Sequence, residues 1–146
     1  MSKLVQALLS GLLITLILDG FIFIGMLVNY INFYEIDLFY KPFFANNQNI
    51  YLFILTSIIL GAIVTYIENT RLTMSVLGVL FILSFSTLIP FVGNSLGESL
   101  FMTKNITLQD SKYTYKGDIY YDAKEYLIFY DTEVQKTIKI LKKDLK

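Results

Sequence analysis

One carboxylate, Asp19, stands inside the seventeen residues LLITLILDGFIFIGMLV, residues 12–28, whose other side chains suit the interior of a bilayer. An acid in such a run faces a bundle interior or a wet cavity, and it has three uses there. It bonds a neighbouring hydroxyl and fixes helix register, it meets a cation or polar group of another membrane protein, or it passes a proton or cation. No Lys, Arg or His falls inside any of the three long apolar stretches of the chain, so an ion pair near mid-membrane within one protomer is not expected. The partners within reach are hydroxyls: Thr15 one turn away, and Thr56, Ser57 and Ser84 by matching depth on antiparallel spans. Hydroxyls do not neutralise a carboxylate, so within one protomer the neutral acid is the expected form.

The run tolerates its charge. Between Leu8 and Val28 stand fourteen Leu, Ile, Phe and Val residues. Each favours insertion by roughly 0.3–0.6 kcal/mol, against roughly 2.5–3.5 for a central Asp. Small residues add a packing signal, with Ser57 and Gly61 spaced as small-xxx-small and Gly20 and Gly25 flattening the first span just after Asp19.

The chain holds no Cys, His or Trp. That removes thiol nucleophiles, thiolate metal sites and every Ser-His pair. Asp118, Asp122, Glu125 and Asp131 cluster in DIYYDAKEYLIFYD, but they lack the EF-hand pattern and sit where strands end and chains turn. No P-loop, dinucleotide fingerprint or hydrolase elbow is present, and no metal, cofactor or nucleic-acid partner is implied.

The elements that would position these groups follow from hydropathy. Three stretches, about 5–28, 50–67 and 72–92, are long enough to span a core of about 30 Å. The connection ENTR between the second and third spans forces an antiparallel hairpin. Residues 29–49 form an aromatic interfacial loop whose Phe33, Tyr34, Phe39, Tyr40, Phe43 and Phe44 are read either as a headgroup belt or as a partner surface. After Pro90, the glycines and asparagine of GNSLGES are expected to end the helix and turn.

Charge then accumulates, since nine of twelve Lys/Arg and eight of twelve Asp/Glu follow residue 93. Three strands are expected at about 113–121, 125–131 and 135–141. The expected fold class is therefore integral membrane α-helical: three transmembrane helices over residues 1–93, followed by a small strand-rich β-meander tail over 94–146. Lys3 and Arg71 favour a cytoplasmic N-terminus and an outer tail, in a setting such as a bacterial cytoplasmic membrane.

An unpaired acid in a span, exposed aromatics and the missing catalytic inventory suggest a non-enzymatic accessory, assembly or chaperone subunit of a larger membrane complex. Its partner would be another integral membrane protein or a second copy. A homo-oligomeric proton or cation path through Asp19, or a membrane-tethered binding module, are the alternatives.

Overall fold

The computed structural model describes residues 2–110 and 113–145. Its first helix, α1, runs Lys3–Met26, with the Ser2 hydroxyl accepting from the Val5 amide at its N-terminus. A π-helical turn, Leu27–Ile31, carries it onward without a break, giving 29 residues in all. At about 1.5 Å per residue this is about 43 Å of helix, longer than a hydrocarbon core of about 30 Å.

Next come α2 (Tyr40–Asn47) and α3 (Ile50–Tyr66), the latter capped by Asn49, whose side chain accepts from the Tyr51 and Leu52 amides. Asn69 caps α4 (Thr70–Ser86) in the same manner, and Pro90 opens α5 (Pro90–Phe101) at a position where its missing N–H costs nothing. The α2–α3 corner bends by 84° and the α4–α5 corner by 85°. One helix, α1 with its π-helical extension, is plainly long and apolar enough to cross a membrane; each bent pair meets the test only when its two helices are taken together. The expected spans 50–67 and 72–92 are thus shorter than the sequence suggested, 17 residues each, at the lower limit for crossing.

Helix α1 is the centre of the helical layer. Helix α3 packs along it, α4 packs on it less extensively, and α3 and α4 hardly touch each other. Small and hydroxyl residues contribute much of the seams: Gly11, Thr15, Ser57, Gly61, Ser84 and Thr87 are buried beside Leu18 and Leu60, while Leu9, Leu13, Leu16, Leu55, Ile58 and Ile82 are exposed. At the tightest point a Cβ added to Gly11 would lie 1.9 Å from the Ser57 carbonyl oxygen, and one on Gly61 would lie 2.0 Å from that of Ala7. Only glycine allows the two backbones to approach this closely.

The strands β1 (Thr103–Gln109), β2 (Thr114–Asp122), β3 (Tyr126–Asp131) and β4 (Lys136–Leu141) form an antiparallel meander in the order β1-β2-β3-β4. A bridge between Asp110 and Leu145 brings the chain end back beside β1, so the sheet curls over Ile119, Leu127, Phe129 and Ile140. A register shift between Ile119 and Tyr121 turns Tyr121 to the opposite face. There Tyr121 and Ile128 join Phe23, Met26, Tyr30, Ile31, Ile36 and Phe43 in a second core. That core bolts the sheet to the far end of α1, so the tail is not a free appendage.

Two elements depart from the sequence reading. GNSLGES lies within α5 and does not turn, because Gly93 and Gly97 let that helix sit directly on Thr87, Asn29 and Tyr30. The added strand β1 was also not expected; its residues TKNITLQ carry weak strand character and are held by pairing with β2.

Candidate functional site

Between α1, α3 and α4 lies a half-open cavity of about 460 Å³. It exists because α3 and α4 each pack on α1 and leave a wedge between themselves, with Leu96 of α5 also in its lining. Thr15, Asp19, Thr56 and Ser84 all line it, against walls of Leu and Ile. Of the polar residues picked from sequence, these four therefore share one space. Ser57 lies instead in the α1–α3 seam beside Gly11, its hydroxyl donating to the Phe53 carbonyl at 2.7 Å.

The hydrogen bond Asp19 makes is not to a hydroxyl. Gln48, in the α2–α3 corner, donates its Nε2–H to Asp19 Oδ2 at 2.9 Å. The reason is register. With Gly11 opposite Ser57 and Gly61 opposite Ala7, antiparallel pairing sets Asp19 level with the start of α3. The middle of the residue 12–28 run is thus not the middle of the bundle, and depth matching by residue count missed Gln48. Thr56 bonds back to the Leu52 and Phe53 carbonyls, whereas the buried Thr15 hydroxyl has no partner among the described residues.

Of the candidate packing glycines, Gly25 and Gly61 sit in close contacts, Gly25 against Thr87. Gly20 does not: a Cβ there would meet only the Tyr40 hydroxyl, at 3.9 Å. Gly11, Gly93 and Gly97 are tight packers that the sequence reading passed over; the Gly93-x-x-x-Gly97 spacing was the available signal.

No family model, curated protein or solved structure matches the chain.

The aromatic loop divides. Phe43 is fully buried in the helix–sheet core, Tyr34, Tyr40 and Phe44 are half-buried, and Phe33 and Phe39 remain exposed. Tyr34 packs against Tyr120, the rings tilted by 47° with centroids 4.4 Å apart, and donates its hydroxyl to Glu98 Oε1 at 2.8 Å. Burial, with the nearby Glu98 carboxylate, pushes the Tyr34 phenol up to about 12. The same hydrogen bond, helped by Lys104 at 3.2 Å, holds the Glu98 carboxyl below its ordinary value.

Beside this junction a second groove, about 650 Å³, runs between the end of α1 and α5. Asn29, Asn32, Asn94 and Ser95 line it, with Asn29 buried at its floor, and Phe33 and Phe91 also line it, 67% and 80% exposed. The floor is fixed by two bonds: Asn29 donates to the Thr87 carbonyl and Asn94 donates to the Asn29 carbonyl, both at 3.0 Å. Three of the four acidic residues singled out in the tail have structural uses. Asp118 accepts from the Asn105 amide where Asn105 takes a φ of 57°, Asp122 pairs with Lys142, and Asp131 caps the β3–β4 turn.

Proposed function

We propose that the chain is an integral membrane protein in which α1, α3 and α4 all cross the bilayer, with α2 and α5 lying across one end and the sheet above them. The burial pattern of the helices supports this reading. Glycines and hydroxyls are buried in the seams with a few large apolar residues such as Leu18 and Leu60, while most Leu and Ile face outward, the arrangement that suits lipid. Contiguous apolar surface on this scale is a liability in water.

Within that frame the chain is a non-enzymatic accessory subunit that assembles with or stabilises another integral membrane protein. The observation that carries this reading is the outer groove: two exposed rings, Phe33 and Phe91, share its lining with asparagines at the membrane edge. Aromatic anchors beside a small set of oriented amides are the composition of a protein-binding patch. The floor is held open by bonds to backbone carbonyls, so a partner would meet a preformed surface and lose less entropy on binding.

Crosslinking and pull-down of the intact protein from native membranes tests the proposal. One integral membrane partner should be recovered in stoichiometric yield, and the Phe33→Ala, Phe91→Ala double variant should lose most of it. Equal recovery by the parent and the double variant, or recovery of no partner, would overturn the assignment.

A further inference from the structure

We propose that the cavity between α1, α3 and α4 binds a primary amine carried on an alkyl chain, with Asp19 pairing the ammonium head and the Leu and Ile walls enclosing the chain. The proposal rests on the membrane placement of the helices, and not on the accessory role or the outer groove. The cavity volume, about 460 Å³, falls within the range of roughly 300–1,000 Å³ of small-molecule sites.

Asp19 is the one ionisable residue in the lining, and it has no cation. Gln48 holds its Oδ2 at 2.9 Å; among the described residues Oδ1 makes no hydrogen bond and Asp19 enters no ion pair. The hydroxyls of the lining have little to give an occupant. Thr56 commits its proton to the Leu52 or Phe53 carbonyl, and Thr87 commits its own to the Ser84 carbonyl. The Thr15 hydroxyl oxygen is fully buried. Ser84, 4% exposed, is the remaining hydroxyl. A carboxylate with a free oxygen thus dominates a space that is poor in donors.

Such a lining calls for donors and a positive charge. A phosphate or carboxylate head would meet Asp19 with no Lys or Arg to offset the repulsion. An alcohol can donate to Oδ1 but leaves the charge in place, and a charge-assisted hydrogen bond is about twice as strong as a neutral one. A quaternary amine has no N–H to give. A bare divalent ion takes about six oxygens or more, which walls of Leu18, Ile22, Leu52, Ile59, Leu80 and Leu83 do not supply. A primary ammonium brings three donors and the missing charge, and its entry converts the neutral acid expected of an unpaired Asp19 to the carboxylate. The apolar walls then take the chain. Asp19 lies level with the start of α3, and the α3 lining runs from Leu52 to Leu60, about 12 Å of rise toward the middle of that helix. The head therefore sits at the α2 end and the chain points into the bundle, as in a lipid of the same leaflet.

The test uses the purified full chain in phosphatidylcholine nanodiscs and three diazirine-bearing alkyl probes of equal length, ending in a primary amine, an alcohol or a carboxylic acid. The amine probe should label residues that line the cavity, saturably, and should be displaced by the unlabelled alkylamine but not by the alkyl alcohol. Asp19→Asn, which keeps the shape of the side chain and an acceptor for Gln48, should weaken that binding about tenfold or more. Leu80→Trp, which fills the space and leaves Asp19 intact, should also remove it. Glu68→Gln, which neutralises an exposed carboxylate just beyond the far end of α3, should bind as the parent does. Circular dichroism checks the helix content of each variant. Preference for the alcohol or the acid, Asp19→Asn binding equal to the parent, or labelling scattered over the outward Leu and Ile residues would each overturn the proposal. Thiol labelling from each side of the bilayer reads the helix crossings separately, so loss of this site with the crossings intact counts against the amine alone.

Discussion

Replacing Gly61 by Ala adds one methyl group where the α1 backbone already stands. The new Cβ would lie 2.0 Å from the Ala7 carbonyl oxygen and 2.8 Å from its carbon, both backbone atoms that cannot rotate aside. Ordinary contact begins near ~3.4 Å, so the helices must part by about 1.5 Å at this point. A radial gap of even about 0.5–1 Å forfeits a quarter to a half of each dispersion contact, and the α1–α3 seam is the largest helix–helix contact in the molecule. Overpacking of this kind costs about 1–3 kcal/mol. Gly11→Ala makes the complementary clash, 1.9 Å from the Ser57 carbonyl oxygen, and should cost a similar amount. Once the helices have separated for one methyl they accommodate the other, so the double variant should lose clearly less than the sum. Gly78→Ala on α4 meets nothing within 4 Å and serves as the matched control. The assay is reversible denaturation in mixed micelles, followed by helix circular dichroism. A Gly61→Ala protein as stable as Gly78→Ala, or Gly11 and Gly61 effects that add in full, would refute the close-contact account of this seam.

Three further perturbations have defined outcomes. The raised Tyr34 phenol favours its neutral form in the folded state, so the stability it contributes is complete below about pH 10 and is lost as pH climbs toward about 12. Glu98 runs the other way, its contribution present above the ordinary carboxylate value and lost as pH falls below it. Chemical denaturation of the parent and of Tyr34→Phe across pH should show a smaller alkaline loss of stability in the variant, the remainder belonging to the other raised phenols, Tyr30, Tyr40, Tyr120 and Tyr121. Asp131→Ala removes the acceptor of the Glu133 and Val134 amides at a 5% exposed site and should cost about 1–3 kcal/mol, read as faster hydrogen exchange in β3 and β4. Lys142→Ala breaks a solvent-exposed pair with Asp122 and should change stability by no more than about 1 kcal/mol, with nothing visible at high salt.

Much of the architecture was legible because it rests on patterns of period and composition. Alternating Tyr, Ile and Phe marked β2, β3 and β4 to within a residue or two, and uninterrupted Leu and Ile marked α1, α3 and α4. What escaped the sequence depends on contacts between distant residues. The α5 helix exists against the local turn preference of Gly93 and Gly97 because their bare Cα atoms fit onto Asn29 and Tyr30, more than sixty positions earlier. Phe43 was read with the interfacial aromatics of its loop, yet the sheet covers it. Asp19 stood out at once, but its partner did not: Gln48 becomes visible only when the α1–α3 register is fixed by Gly11 and Gly61. Helical spacing and antiparallel depth matching grouped Thr15, Thr56 and Ser84 with Asp19. The wedge that joins them into one cavity follows from α3 and α4 failing to pack together.

Both proposals depend on α1, α3 and α4 crossing the bilayer, and thiol labelling from each side tests that directly. The chain has no native cysteine, so Asn49→Cys, Glu68→Cys and Glu133→Cys, all at exposed positions, each report one location. The account predicts that Asn49 and Glu133 react with a membrane-impermeant maleimide from the same side of a sealed vesicle, and that Glu68 reacts only from the other. Labelling of all three from one side would contradict it, leaving α1 as the sole crossing and the α3–α4 wedge outside the membrane.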